Sequence, residues 1–258
     1  AQAVSKTGTS AGQFLKIGVG SRAIGLGGAF TAIADDASSL YWNPSGIANN
    51  KTLSIFVDHY DWILDIEMDF IGFIIPLGSA GNLGVSTNYL HMGEMEVTST
   101  KNPEGTGEKF SAASYLGQIS YARNLTERFS LGSSIKLIKE SIWNSTATGI
   151  AIDIGTLYKS TFPGLKLGMS ISNYGSKMKM DGRDLLIQTD LDPSLESDPE
   201  NLNSNLMTDE FDLPMIFRFG ISFSKKLKNG FGTILAIDAI HPSDNTESIN
   251  IGTEFNYN

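Results

Sequence analysis

From about residue 52 to the end of the chain, apolar residues alternate with small or polar ones at a period of two. Phe129, Leu131, Ile135 and Leu137 interleave with Ser130, Gly132, Ser134 and Lys136. Ile150, Ile152, Ile154 and Tyr158 interleave with Ala151, Asp153 and Gly155, and 165–171, 215–223 and 249–257 repeat the scheme. The pattern predicts ten strands, near 52–58, 65–76, 82–91, 109–123, 128–141, 147–160, 164–174, 214–225, 230–241 and 247–257.

Two features favour a transmembrane barrel over a soluble sandwich. The second face of the strands carries Gly, Ser, Ala and Asn with a few charges, which suits a crowded lumen; the first carries Ile, Leu, Phe and Tyr, which suits lipid. Connections after even-numbered strands are tight, as at 76–81 and 123–127, whereas those after odd-numbered strands are generally longer, above all 92–108 and 175–213. The long side is expected to be extracellular and the short side periplasmic. Tyr60, Trp62, Trp143, Tyr158, Tyr174 and Tyr257 fall near strand ends, as aromatic girdles do. The expected fold is therefore all-β, a transmembrane antiparallel β-barrel at 52–258 with an acidic extracellular loop at 176–212.

The first fifty residues do not alternate. Small residues around Gly25, Gly27 and Gly28 allow close backbone packing, Asp35 and Asp36 can start a short helix, and Asn43-Pro44 marks a turn. Residues 1–51 are too apolar for a free tail and are suited to plug a barrel lumen. The opening Ala1-Gln2-Ala3 reads as the start left by signal-peptidase cleavage.

The run from Ser21 through Asn43-Pro44-Ser45-Gly46 to Ala48, SRAIGLGGAFTAIADDASSLYWNPSGIA, closely resembles the N-terminal signature of the PorV/PorQ family of outer-membrane proteins, within the broader FadL-like barrels. Leu213-Pro214 followed by Phe217-Arg218-Phe219-Gly220 also looks like this family. The resemblance implies a fourteen-stranded barrel with an N-terminal plug, of which this chain carries about ten strands, and a place in the bacterial outer membrane. It further implies a part in type IX secretion: either as a carrier that binds the C-terminal domains of secreted cargo and caps the large translocon barrel, or as an anchor for surface-attachment proteins. FadL-like uptake of hydrophobic small molecules is the alternative, and would require a continuous apolar pocket near Phe14, Leu15, Ile17, Ile24 and Phe30.

Composition narrows the chemistry. The chain has 258 residues, 19 Lys+Arg against 28 Asp+Glu and a net charge of −9, which argues against nucleic acid as a partner. It contains no Cys, so disulfides, thiolate metal ligands and thiol nucleophiles are excluded together. No apolar run reaches the length of a membrane helix, about 18 residues. Gly25-Leu26-Gly27-Gly28 lacks the Lys-Ser/Thr of a phosphate loop. Neither a nucleophile elbow nor a zincin motif occurs. No catalytic residue, metal or cofactor is expected, and His59, His91 and His241 read as rim residues. Arg22, Lys136, Lys166 and Arg218 are expected to face the lumen and pair with Asp153, Asp238 or plug carboxylates.

The acidic loop carries apolar residues at intervals. Met178, Met180, Leu185, Leu186, Ile187 and Leu191, with Arg183, are the candidate contacts of a protein partner; outer-membrane lipids would cover the barrel wall. The acidic residues do not follow calcium-loop spacing.

Overall fold

A computed structural model describes residues 8–189, 202–227 and 230–257. Ten strands form one antiparallel sheet in sequence order: β1 (Ser54–Asp61), β2 (Ile66–Pro76), β3 (Asn82–Met92), β4 (Ala112–Asn124), β5 (Phe129–Ile142), β6 (Ser145–Lys159), β7 (Leu165–Gly175), β8 (Ile216–Lys226), β9 (Phe231–Pro242) and β10 (Ser248–Tyr257). Each end lies within three residues of the expected one. The sheet is not closed: β1 and β10 are its two edges.

The alternation has the direction the sequence suggested. Ile119, Ile135, Leu137, Ile150 and Ile154 point outward and are half or more exposed, while Gln118, Ser120, Ser134, Lys136 and Asp153 point inward and are buried. This is a globular protein's pattern inverted, and it suits a wall whose outer solvent is hydrocarbon. No described helix is long and apolar enough to cross a membrane, so any crossing is made by strands.

The loop lengths require a correction. Of the five connections on the expected long side, only 93–111 and 176–215 are long; β1–β2 turns through 62–65, β5–β6 through Trp143–Asn144 and β9–β10 through 243–247. Ser145 and Thr146 extend β6 because they pair with Ile142 and Ser141, and polar rim residues give no hydropathy signal for that extension. Tyr60 is a second correction. It shares the inward parity of β1, and its hydroxyl donates to the Gly18 carbonyl at 3.0 Å, so it belongs to the lumen rather than to a girdle. Trp62, Trp143, Tyr158, Tyr174 and Tyr257 are exposed.

The core comes from the N-terminal segment. Residues 8–53 contain two short helices, α1 (Ser21–Gly25) and α2 (Ser39–Trp42), and two 3-10 turns, Gln13–Lys16 and Pro44–Asn49. Val19, Leu26, Phe30, Ile33, Leu40, Trp42 and Ile47 cluster against Met68, Phe70 and Ile74 of β2, Ala122 of β4 and Ala236 of β9. Phe14 and Leu15 join a second cluster with Leu116, Ile138, Ala147, Ala151, Met178 and Leu213.

Candidate functional site

Every strand of the sheet meets the N-terminal segment, and small wall residues decide how closely. Ala122, Gly132 and Gly155 sit opposite one another across β4, β5 and β6. They leave a smooth strip into which Asn43-Pro44-Ser45 lies. A Cβ on Gly132 would come within 2.5 Å of the Ser45 nitrogen, and one on Gly155 would collide with the Asn43 side chain.

Asn43 is the latch of this contact. It is fully buried; its Nδ2 donates to the carbonyls of Thr31 at 2.9 Å and of Thr156, on β6, at 3.1 Å. Its Oδ1 accepts from the Ser45 backbone N–H at 3.2 Å and the Ser45 hydroxyl at 2.7 Å. Pro44 follows at the first position of the 3-10 turn, where its missing N–H costs nothing. Three wall side chains hold neighbouring turns: Asn82 donates to the Asn50 carbonyl at 2.7 Å, Gln118 to the Leu40 carbonyl at 2.7 Å, and Asp238 accepts from the backbone N–H groups of Phe30 at 3.1 Å and Thr31 at 2.9 Å. Asp238, expected in the lumen as the partner of a basic side chain, instead accepts from plug backbone N–H groups; Asn82 and Gln118 were missed from sequence. Their signal is a long polar side chain at an inward position among Gly and Ser.

The glycines divide. Gly27 and Gly28 adopt left-handed conformations (φ 65° and 77°) where α1 ends, and Gly28 N–H closes onto the Ala23 carbonyl at 2.9 Å, so both are demanded by the turn. Gly25 lies within α1 with open space around it, so close packing does not explain it. Asp35 and Asp36 both face Arg22, whose Nη1 lies 2.6 and 3.2 Å from them, while its Nε donates to Glu254 of β10 at 2.9 Å. Asp36 also accepts from the Ser38 N–H at 2.9 Å, just ahead of α2. Burial opposes the Arg22 charge, but these carboxylates outweigh it and hold the guanidinium protonated.

The buried charges meet the pairing requirement in part. Lys136 Nζ lies 2.6 Å from Asp153, both side chains almost fully buried, and donates to Asn173 Oδ1 at 2.7 Å. Asp153 also accepts the Asn173 N–H at 2.8 Å, where the β6–β7 register shifts and Asn173 takes φ 62°. Arg218 has no carboxylate within ion-pair distance among the described residues. Its guanidinium lies 5.6 Å over the Trp42 ring and 5.9 Å over Tyr41. Lys166, also expected in the lumen, is partly buried on β7. At the mouth, Asp244 joins Lys16 at 2.8 Å and accepts from Ser10 at 2.5 Å and Gln13 at 3.2 Å.

The long loop is built in two layers. Met178–Lys179 pairs with Glu210–Phe211, and Asp181–Gly182 adds to the end of β6. Met178 is 1% exposed and packs into the second cluster, so it anchors the loop to the wall and does not face a partner. Met180 packs beside it. Arg183 donates to Asn144 at 2.7 Å at the rim, and Leu185 opens the outer layer. That layer is a hairpin, Leu186–Thr189 with Leu202–Asn205, and it leaves Leu186 (59%), Ile187 (39%), Leu206 (49%) and Met207 (92%) exposed. Leu191 lies outside the described residues.

The apolar pocket expected near Phe14, Leu15, Ile17, Ile24 and Phe30 does not form. Phe14 and Leu15 sit in one cluster, Phe30 in the other, Ile17 touches both, and Ile24 is exposed. A different cleft of about 620 Å³ opens at the mouth, lined by Ile24, Trp42, Ile216, Arg218, Ile240 and Asn250 among others. His59 and His91 flank Asp69 at 2.7 and 3.7 Å, and His241 pairs with Glu247 at 3.1 Å. Among the described residues, no three His, Asp or Glu side chains are grouped to hold a metal.

The comparisons with known proteins agree with this geometry. Residues 1–194 match the family described as type IX secretion system protein PorV. The chain is 25% identical over 174 residues to a UPF0164 protein of Treponema pallidum (strain Nichols), covering 62% of this chain and 43% of that protein; it thus spans less than half the length of this curated relative. In fold it is similar to the CymD monoaromatic hydrocarbon channel, with a TM-score of 0.51, 12% identity, and coverage of 93% of this chain and 75% of that one.

Proposed function

This chain belongs to the PorV family of type IX secretion system proteins, and we propose that it is an outer-membrane interaction component of that system, binding proteins at its loop-side mouth instead of conducting solutes. The observation that carries this reading is the filled lumen. Phe30, Leu40, Trp42 and Ile47, all buried, occupy the space a channel would need, while Leu186 and Ile187 on the outer hairpin, with Leu206 and Met207 just after it, are exposed at the mouth. Isolated apolar anchors in a polar surround are what a protein interface uses. In this reading the long loops are extracellular, lipid covers the outward Ile and Leu wall, and the partners are the large translocon barrel, secreted cargo C-terminal domains, or surface-attachment proteins. No catalysis and no cofactor are assigned.

The test is affinity capture from gently solubilised native outer membrane, comparing the wild type with Leu186→Asp/Ile187→Asp. Co-purification of a very large barrel, or of secreted proteins sharing a C-terminal domain, with at least a tenfold loss in the double variant, supports the assignment. A solitary barrel, or partners indifferent to the substitutions, overturns it. The 620 Å³ cleft, with Trp42, Ile216 and Ile240 on its walls, favours a second reading, uptake of hydrophobic small molecules, which the likeness in fold to a hydrocarbon channel also supports. A lipid-like molecule retained in that cleft through purification would favour it.

A further inference from the structure

The β1–β2 hairpin ends in a tip whose residues are unfavourable to the isolated protein in three independent ways. First, Trp62 (48%), Ile63 (60%) and Leu64 (89%) are all exposed where a turn ordinarily carries polar residues. Second, Leu64 and Asp65 take left-handed conformations (φ 54° and 58°), and the Ile66 N–H closes on the Ile63 carbonyl at 3.1 Å. This geometry is the one that selects Asn-Gly, and a bulky Leu is strained in it. Third, Asp61 stands directly opposite Glu67 at the last register pair, a like-charge arrangement that weakens a hairpin.

The order of residues along the outward face says what the tip is not for. From the end opposite the tip, the pairs run Ile55 with Phe73, Val57 with Ile71, His59 with Asp69, and Asp61 with Glu67. The apolar band therefore ends at Val57 and Ile71, and the stacked rings of Tyr89 and Tyr115, 4.6 Å apart, lie level with the rim at Asp69. Beyond the rim of carboxylates the chain turns apolar again. Three strand steps separate Asp69 from Ile66, about 10 Å at strand rise, and the turn lies beyond them, so the tip projects past the zone where the wall turns from apolar to charged. Its acidic flank is also wrong for the surface of an anionic lipid layer.

We propose that this tip is a docking finger for another protein, inserting Trp62, Ile63 and Leu64 into an apolar cleft bordered by Lys or Arg side chains that offset Asp61, Asp65 and Glu67. It is separate from the Leu186 hairpin and does not depend on that assignment. The chain has no Cys, so Ile63→Cys supplies a single thiol for a benzophenone label, photoactivated in native outer membrane; Ser79→Cys, in the turn at the opposite end, is the control. The expected result is one discrete protein adduct at position 63, absent at 79, attached within a Lys- or Arg-bearing segment. Its yield should fall at least fivefold with Asp61→Lys/Glu67→Lys and with Leu64→Asn/Asp65→Gly. The latter variant relaxes the turn, so its barrel should resist heat at least as well as the wild type while docking is lost. Adducts to lipid alone, no adduct from a heat-modifiable barrel, or an adduct unchanged by either double variant would overturn the proposal; Asp65→Cys replaces the label site if Ile63→Cys does not fold.

Discussion

Replacing Asn43 by Ala removes four hydrogen bonds at once, two donated to the carbonyls of Thr31 and Thr156 and two accepted from Ser45, at a side chain with no exposure. A bond of this kind contributes ~1 kcal/mol net, so the loss is about 3–4 kcal/mol, a hundred- to thousandfold in equilibrium. The strands keep their own ladder, so the cost falls on the docking of residues 40–48 to the strip formed by Ala122, Gly132 and Gly155. Hydrogen exchange followed by mass spectrometry in micelles reads this directly. The amides of 40–48 should lose a hundredfold or more in protection, while those of β4 and β5 change little. Gly155→Ala attacks the same contact from the wall, because its Cβ would collide with the Asn43 side chain, and should produce the same local pattern. A protection loss below about fivefold in both variants would refute the latch.

Two further expectations follow from the charges. Lys136→Met leaves Asp153 buried with its cation gone and should cost about 3–5 kcal/mol in urea unfolding, whereas Lys136→Met/Asp153→Leu should recover much of that; a double-variant cost equal to the sum of the Lys136→Met and Asp153→Leu costs would show that the pair is not coupled. Burial would raise the Asp244 carboxyl, but Lys16, Ser10 and Gln13 hold it below the ordinary carboxylate value. Its contribution is therefore complete above pH ~4 and lost as pH falls through the depressed folded value. The protection of residues 10–16, taken relative to intrinsic exchange at each pH, should fall below pH ~4 in the wild type and stay constant there in Asp244→Asn.

The strands were legible because their alternation is a local signal: burying one face and exposing apolar side chains on the other writes a period of two into 52–257 without reference to any other part of the chain. The N-terminal segment was legible by contrast, through the absence of that period and the density of small residues. What could not be read depends on pairing between distant segments. Asp238 reaches Phe30 across 208 positions, and Lys16 reaches Asp244 across 228; only the folding of the N-terminal segment against the curved sheet brings them together. Met178 looked like an exposed anchor because it lies among apolar residues spaced through a long acidic loop, yet it turns inward onto Ala147 and Ala151. Tyr60 was misassigned to a girdle although its inward parity, shared with Phe56 and Asp58, was already visible in the alternation.

The inverted wall constrains mechanism. The inner face of the sheet carries Gly, Ser, Asn and a few charges with only scattered apolar side chains such as Met68, Phe70, Ile74, Leu116 and Ile138, and residues 8–53 supply most of the main hydrophobic cluster. Opening a path through the lumen would expose Phe30, Leu40, Trp42 and Ile47. At about 1.5–3 kcal/mol for each fully buried apolar side chain, that movement costs on the order of 6–12 kcal/mol before any hydrogen bond of Asn43, Gln118 or Asp238 is counted. A ligand can drive such a change only through an equal difference in its affinity for the open and closed forms. Even the lower figure exceeds the ~5.5 kcal/mol that carries a two-state equilibrium from 1:99 to 99:1. A small solute passing through has too few contacts to supply it, whereas binding at the mouth requires no displacement at all. The segment that looks like a hatch therefore packs as a core, which supports the proposal that binding takes place at the rim, where the Leu186 hairpin and the Trp62 tip carry exposed apolar groups.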